Sequence, residues 1–272
     1  MYCICRTFKL FIKENKMKIY IFADMEGISG ISDAAYVLPG EAKYAYGCKY
    51  LTREINICAA ACLEAGADEV IVRDGHYMGN SVIWEDLIPG VQLVHGVEHA
   101  VRYPGIDGCD AVILLGYHAM AGTRNALLEH TYSSKIIQNV WLNGTKIGEF
   151  GIDTLIAGEK GIPVIMTSGC DKLCAEAKAF SPDVITCQVK KSISLNGAIL
   201  LSPADAEKLL HDKTIEAINA FKAGKIKPLT ASPVTLRAEF VERMEPGRAD
   251  FIAPRTVEVS ADKVEEALYK VF

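Results

Sequence analysis

Apolar positions along this chain fall into short runs bounded by glycine and charge, at two different periods. Residues 18–23 (KIYIFA) are too few for a helix and rich in β-favouring types, so they predict a buried strand. Leu51, Ile55, Cys58 and Cys62 then recur at i, i+4, i+7 and i+11, one stripe of a helix with Gly66 as its stop. Residues 69–73 (EVIVR), 91–94 and 111–115 (AVILL) predict further strands. This alternation implies an α/β fold with a mostly parallel sheet covered by helices on both faces. Two apolar runs, 136–142 and 146–148, flank Asn143-Gly144, a strong two-residue hairpin signal, so an inserted β-hairpin is expected before a helix that begins near Glu149.

Residues 163–167 (PVIMT) predict another strand, 172–179 a short helix, and 184–189 the strand at which the sheet is expected to end. Ser202-Pro203-Ala204-Asp205 is a capping pattern that opens a helix reaching about Lys222. Beyond a linker near 227–233, strands at 234–241 and 256–259 and a helix over 261–271 form a smaller C-terminal α+β domain. The expected organisation is a poorly ordered extension over 1–16, an α/β catalytic domain over 17–191 and the α+β domain over 192–272.

Composition narrows the classes. At 272 residues and 50% hydrophobic content the chain can fill a sizeable core. A net charge of −5, with basic residues scattered instead of striped, leaves no footprint for nucleic acid. No apolar stretch reaches the roughly 18 residues that span a bilayer, so no membrane partner is expected. Arg6, Lys9 and Lys13 break up the first sixteen residues, which lack a small-residue cleavage site and so do not read as a signal peptide. Cys3 and Cys5 there are too few for a metal site on their own. Nine cysteines is an odd number, and Cys58, Cys62, Cys109, Cys170 and Cys187 lie in or beside apolar stretches, which fits free thiols in a reducing cytoplasm.

The candidate chemistry sits just past the strand ends. Asp24 and Glu26 follow the first run and precede Gly27; Asp74, Gly75 and His76 follow the second; Gly116, Tyr117 and His118 follow 111–115. Open α/β sheets build their ligand sites at that edge, and core packing does not explain acids and imidazoles there. Carboxylates mixed with imidazoles suit zinc, manganese or iron(II) better than calcium, which takes oxygen alone, or structural zinc, which favours thiolates. Asp24 is the better candidate to bridge two ions. Glu149, at a helix start, is either a first-turn acid favoured by the helix dipole or a fifth ligand. His130, in LLEHTY, is the remaining histidine best placed to act as acid, base or nucleophile. His95 and His99 read as loop and helix-start residues and His211 as a solvated helix residue, while Asn80 and Asp153 are candidate supports for the ligands.

In series, the motifs DMEGISG at 24–30, DGH at 74–76, LGYHA at 115–119, the histidine of LEH at His130 and GE.G at 148–151 resemble the zinc-dependent D-aminopeptidases of the dipeptide-transport type, self-compartmentalising bacterial enzymes. The resemblance runs from Met17 to about Phe272 and leaves the first sixteen residues outside it. It implies two zinc ions per subunit held by Asp24, Glu26, His76, His118 and Glu149, with the aspartate bridging, and a catalytic histidine at His130. Glu129 stands where the family commonly has serine, which bears on substrate preference. It also implies a two-domain α/β subunit assembled into a ring-like decamer with an inner channel. The resulting expectation is a cytoplasmic, homo-oligomeric aminopeptidase acting on short peptides with N-terminal D-residues. Two rivals stand beside it: a two-metal hydrolase of other amides or phosphoesters, disfavoured because Arg73 and Arg124 are the nearest basic residues, and a non-catalytic metal-binding assembly protein.

Overall fold

Side chains of the central strands point alternately into two separate cores, which is why those runs read as continuously apolar. The first strand, β1 (Lys18–Ala23), sends Ile19, Ile21 and Ala23 to one side and Tyr20 and Phe22 to the other. The computed structural model describes residues 16–96, 101–243 and 250–272; His99, Cys3, Cys5 and the expected extension up to residue 15 lie outside the described residues.

After β1 come α1 (Tyr44–Glu64), β2 (Glu69–Asp74), β3 (Val91–Val94) and β4 (Ala111–Tyr117). A hairpin of β5 (Ile137–Leu142) and β6 (Thr145–Lys146) precedes α2 (Glu149–Glu159), β7 (Val164–Cys170), α3 (Asp171–Phe180), β8 (Ile185–Ser194) and β9 (Gly197–Leu200). The chain closes with α4 (Pro203–Lys222), β10 (Val234–Phe240), β11 (Phe251–Ala253), β12 (Thr256–Ala261) and α5 (Val264–Val271). Among the described residues, seven strands form one sheet in the order β3-β2-β1-β4-β7-β8-β9, parallel except where β9 meets β8. The other five form an antiparallel sheet, β11-β12-β10-β5-β6. In the large sheet β1 lies between β2 and β4, so the chain winds outward on both sides of the β1/β4 pair. Such a switch point parts the connecting loops and leaves a crevice at the carboxyl ends of the strands.

The predicted stripe of α1, Leu51, Ile55, Cys58 and Cys62, is fully buried against Ile19, Ile21 and Ile113 and against Leu210, Ala217 and Ile218 of α4. The opposite face packs Tyr20, Phe22, Val112 and Leu114 against α2, α5 and the small sheet. The mostly parallel sheet with helices on both faces is therefore as expected. The hairpin is present too, with Asn143 (φ 49°) and Gly144 (φ 79°) both left-handed as its turn type requires. It pairs with β10 and so belongs to the second sheet.

One strand differs from the sequence expectation. β8 does not end near 189 but runs to Ser194, and β9 adds to the large sheet beside it. Lys190 conceals this continuation, because a lysine in an apolar run reads as its end. Here it is buried, and its Nζ donates to the carbonyls of Glu26, Ile28 and Ile31 at 2.6, 2.7 and 2.9 Å. Of the seven cysteines described, all are unpaired and six are buried. Among the described residues no helix is long and apolar enough to cross a membrane.

Candidate active site

Asp24 and Glu26 reach the crevice because their neighbours are anchored elsewhere. Met25, Ile28 and Ile31 bury in the core beneath α1, so the alternate side chains of the same loop line the cavity. The loop crosses β4 at contact distance: Asp24 N–H donates to the Leu115 carbonyl at 2.8 Å and Gly27 N–H to that of Gly116 at 2.7 Å. A Cβ on Gly27 would overlap the Tyr117 carbonyl oxygen, and Gly116, at φ +71°, would overlap that of Asp24. Glycine at both positions is therefore a packing requirement.

His76 follows β2, His118 follows β4 directly, and Glu149 opens α2. All are buried, and each imidazole presents Nε2 to the cluster. His76 Nε2 lies 3.6 Å from Glu26 Oε1; His118 Nε2 lies 3.4 Å from Asp24 Oδ2 and 3.3 Å from Glu149 Oε1. The opposite nitrogens are occupied. His118 Nδ1 donates to the Ala119 carbonyl at 3.1 Å, and His130 Nδ1 to that of Leu128 at 2.9 Å. His76 Nδ1 meets Ser81 Oγ at 3.0 Å. His130 stacks on His118 with ring centroids 3.9 Å apart, and its Nε2 lies 3.8 Å from Glu149 Oε1. Donor atoms of Asp24, Glu26 and His118 lie within 4.8 Å of one another, as do those of His118, His130 and Glu149.

Electrostatics follow from crowding acids and imidazoles out of water. Burial, and then the charge of Glu26, pushes the Asp24 carboxyl well above its ordinary range. For Glu26 burial acts in the same direction, but His76 outweighs it and holds the group well below its usual value. Burial is likewise overcome at Glu149, where His118 and then His130 bring the pKa to about 2. His76 rises to about 9, since the pull of Glu26 exceeds the burial that opposes its charge. Asp24 Oδ2, Glu26 Oε2 and His118 Nε2 are buried without a hydrogen-bond partner. Leaving such groups unmatched costs about 1–3 kcal/mol each, a cost that a divalent cation among them would remove. The donor set fits an ion of the zinc type.

Around the cluster lies a cavity of about 470 Å³ with Val37, Leu38 and Leu128 on its apolar side. Glu149 is steered from behind, where its Oε1 accepts the Tyr132 N–H at 2.7 Å and its Oε2 lies 3.8 Å from Arg102 Nη2. Arg102 is itself clamped by Asp153, with Nε and Nη2 each donating at 2.8 Å, and Tyr117 OH donates to the same carboxylate at 2.6 Å. Asp153 thus supports Glu149 through Arg102 and not directly. Asn80 is exposed and away from the cavity, and the position next to it, Ser81, makes the contact to His76. His95 is exposed, 3.7 Å from Asp74, and His211 pairs with Glu64 on the surface. Arg102 and Ser81 escaped the sequence reading because each acts through a partner distant in the chain or across a turn. The arginine in VRYPG has no periodic context that would mark it.

Fold and cluster together define a class, an α/β enzyme whose acid and imidazole groups meet at the switch point of a doubly wound sheet. Residues 17–271 match the family described as D-aminopeptidase. The D-aminopeptidase of Bacillus subtilis (strain 168) is 35% identical over 218 residues, 79% of this chain and 77% of that one. The solved structure of the Zn-dependent D-aminopeptidase DppA from Bacillus subtilis, a self-compartmentalizing protease, superposes with a TM-score of 0.86 at 33% identity, covering 93% of this chain and 94% of that chain. The chain belongs to the D-aminopeptidase family, as the five motifs imply.

Proposed function

We propose that this protein is a zinc-dependent aminopeptidase that releases an N-terminal D-amino acid, D-alanine above all, from short peptides. Asp24, Glu26, His76, His118 and Glu149 would hold two zinc ions per subunit, with Asp24 between them, and His130 is the catalytic residue. Manganese or iron(II) are the alternative metals for such donors. The reading is carried by the convergence of three imidazole Nε2 atoms on three carboxylates, with Asp24 Oδ2, Glu26 Oε2 and His118 Nε2 left unsatisfied. Likeness to a Zn-dependent D-aminopeptidase supports it.

When bound, the zinc pair supplies a Lewis-acidic centre that polarises the scissile carbonyl and lowers the pKa of a bound water. The protein's own groups do the rest. Because its Nδ1–H is held by Leu128, His130 keeps an Nε2 lone pair free to take a proton from the attacking water or to attack the carbonyl carbon itself. Stacking on His118 limits rotation of the ring. As a base, Nε2 returns that proton to the departing amine; as a nucleophile, it forms an acyl-imidazole as the C–N bond to the amine breaks, the amine takes its proton from water, and a second water hydrolyses the acyl group to free Nε2. Tyr132 N–H and Arg102 fix the Glu149 carboxylate, and Val37, Leu38 and Leu128 offer apolar contact to a small side chain.

By analogy with DppA, described as self-compartmentalizing, the subunits assemble into a homo-oligomer that encloses its sites, with ten copies as the resemblance implies and the cytoplasm as its compartment. Sedimentation velocity measures the copy number. The function itself is tested by metal analysis of the purified protein, paired with hydrolysis of matched D- and L-alanyl dipeptides. Two zinc ions per chain and a preference for the D-peptide are expected, and Asp24→Ala should lose both ions and nearly all turnover. Retained zinc and turnover in that variant would overturn the assignment. Cleavage of nitrophenyl phosphate in place of peptides would point to the phosphoesterase rival, and stoichiometric metal without turnover to the assembly protein.

A further inference from the structure

Charge is unevenly distributed around the cavity. Asp24, Glu26, Glu129 and Glu149 line it, and beside the histidines its lining has two basic residues, Arg102 and Lys135. Arg102 is committed, since it donates twice to Asp153 at 2.8 Å. Lys135 has no ion-pair or hydrogen-bond partner among the described residues, and the hydroxyls of Ser133 and Ser134 beside it are equally unengaged. With Asp24, Glu26 and Glu149 engaged by the metal in the reading above, Ser133, Ser134 and Lys135 remain as three successive uncommitted donors in the lining of the same cavity, and they match an anionic group on a ligand whose reacting end lies at the cluster.

We propose that Lys135, with Ser133 and Ser134, forms the subsite for the α-carboxylate of the peptide substrate, so that the enzyme selects short peptides with a free C-terminus. This rests on the aminopeptidase reading above and adds to it the feature that limits peptide length. The position of the three residues is set at both ends. Tyr132 N–H is bonded to Glu149, and the Ser133 carbonyl accepts the N–H groups of Ile136 at 3.3 Å and Ile137 at 3.0 Å, closing a turn just ahead of β5. Lys135 lies three positions beyond Tyr132, at most about 11 Å of chain and less within a turn. An extended dipeptide spans at most about 7 Å and a tripeptide about 11 Å. A carboxylate at that distance from the reacting end therefore lies within reach of a flexible ammonium, which acts as a movable point charge. Because Lys135 is exposed, the contact is screened by salt and acts chiefly on KM.

The test uses the zinc-loaded full-length protein with D-Ala-D-Ala and its C-terminal amide as the substrate pair. Wild type is expected to prefer the free acid, with a preference that shrinks as salt is raised. Lys135→Met should lower the acid-to-amide ratio of kcat/KM about tenfold, through KM, at unchanged zinc content, and Lys135→Arg should restore it. A ratio unmoved by Lys135→Met, because both substrates fall together or neither does, overturns the subsite and leaves the aminopeptidase reading standing. Failure of wild type to cleave either compound overturns both.

Discussion

Three imidazoles enter the site with Nε2 foremost, and what holds each one differs. His118 and His130 are locked by main-chain carbonyls, which no substitution removes. His76 depends on a side chain, Ser81, whose hydroxyl lies 3.0 Å from Tyr44 OH and whose N–H is fixed by Asp74 at 2.6 Å. A partner on the far nitrogen sets the tautomer and ring angle of a ligating histidine, and its loss commonly costs tenfold to a hundredfold in metal affinity. Ser81→Ala is therefore expected to weaken zinc binding by about that factor in chelator competition, and Ser81→Thr, which keeps the hydroxyl, to retain it; equal affinities would show that the Ser81 contact is idle. At this scale the acids and histidines were legible because strand-end placement is a local property of the sequence. Ser81 was not, because its meeting with His76 depends on how the intervening turn closes.

Among the elements, the 24–31 loop is the least self-sufficient. Its carbonyls at Glu26, Ile28 and Ile31 have turned inward, and a single ammonium from β8 gathers them. Lys190→Met keeps the length of the stem but removes all three donors. Unmatched buried carbonyls cost about 1–3 kcal/mol each, so a loss of roughly 3 kcal/mol or more in unfolding free energy is expected from denaturant titration. Zinc affinity should fall with it, because Glu26 belongs to the loop that relaxes. A midpoint within error of wild type would mean that the loop holds its shape without the cation. Strand and helix positions are largely legible from period and caps, but β8 extends past its expected end because a charge inside a run looks like an end. The partner that makes Lys190 an interior residue lies some 160 positions away in the sequence.

For the molecule as a whole, Glu176 couples stability to pH. It sits on α3, accepts the Met120 N–H at 2.8 Å, and burial lifts its pKa from 4.5 to about 7. The folded state therefore retains a proton that the unfolded chain has already released between those values. The stability contributed by this group is complete below pH 4.5, declines as pH rises through about 7 and is gone above it. In the metal-free protein Glu176→Gln, which still accepts from Met120, should raise Tm at pH 8 by about 2–4 °C and bring little change at pH 4.5. A Tm difference independent of pH would remove Glu176 as the cause.

From the sequence alone came the kinds of element and their order, and the reactive side chains waiting at the strand ends, because both depend on residues a few positions apart. Folding decided the associations. It paired the hairpin with β10, carried the large sheet on through β9, stacked His130 on His118 and set Arg102 between Asp153 and Glu149. Such contacts join segments far apart in the chain, and their energies come from burial and pairing that exist only after the cores have closed.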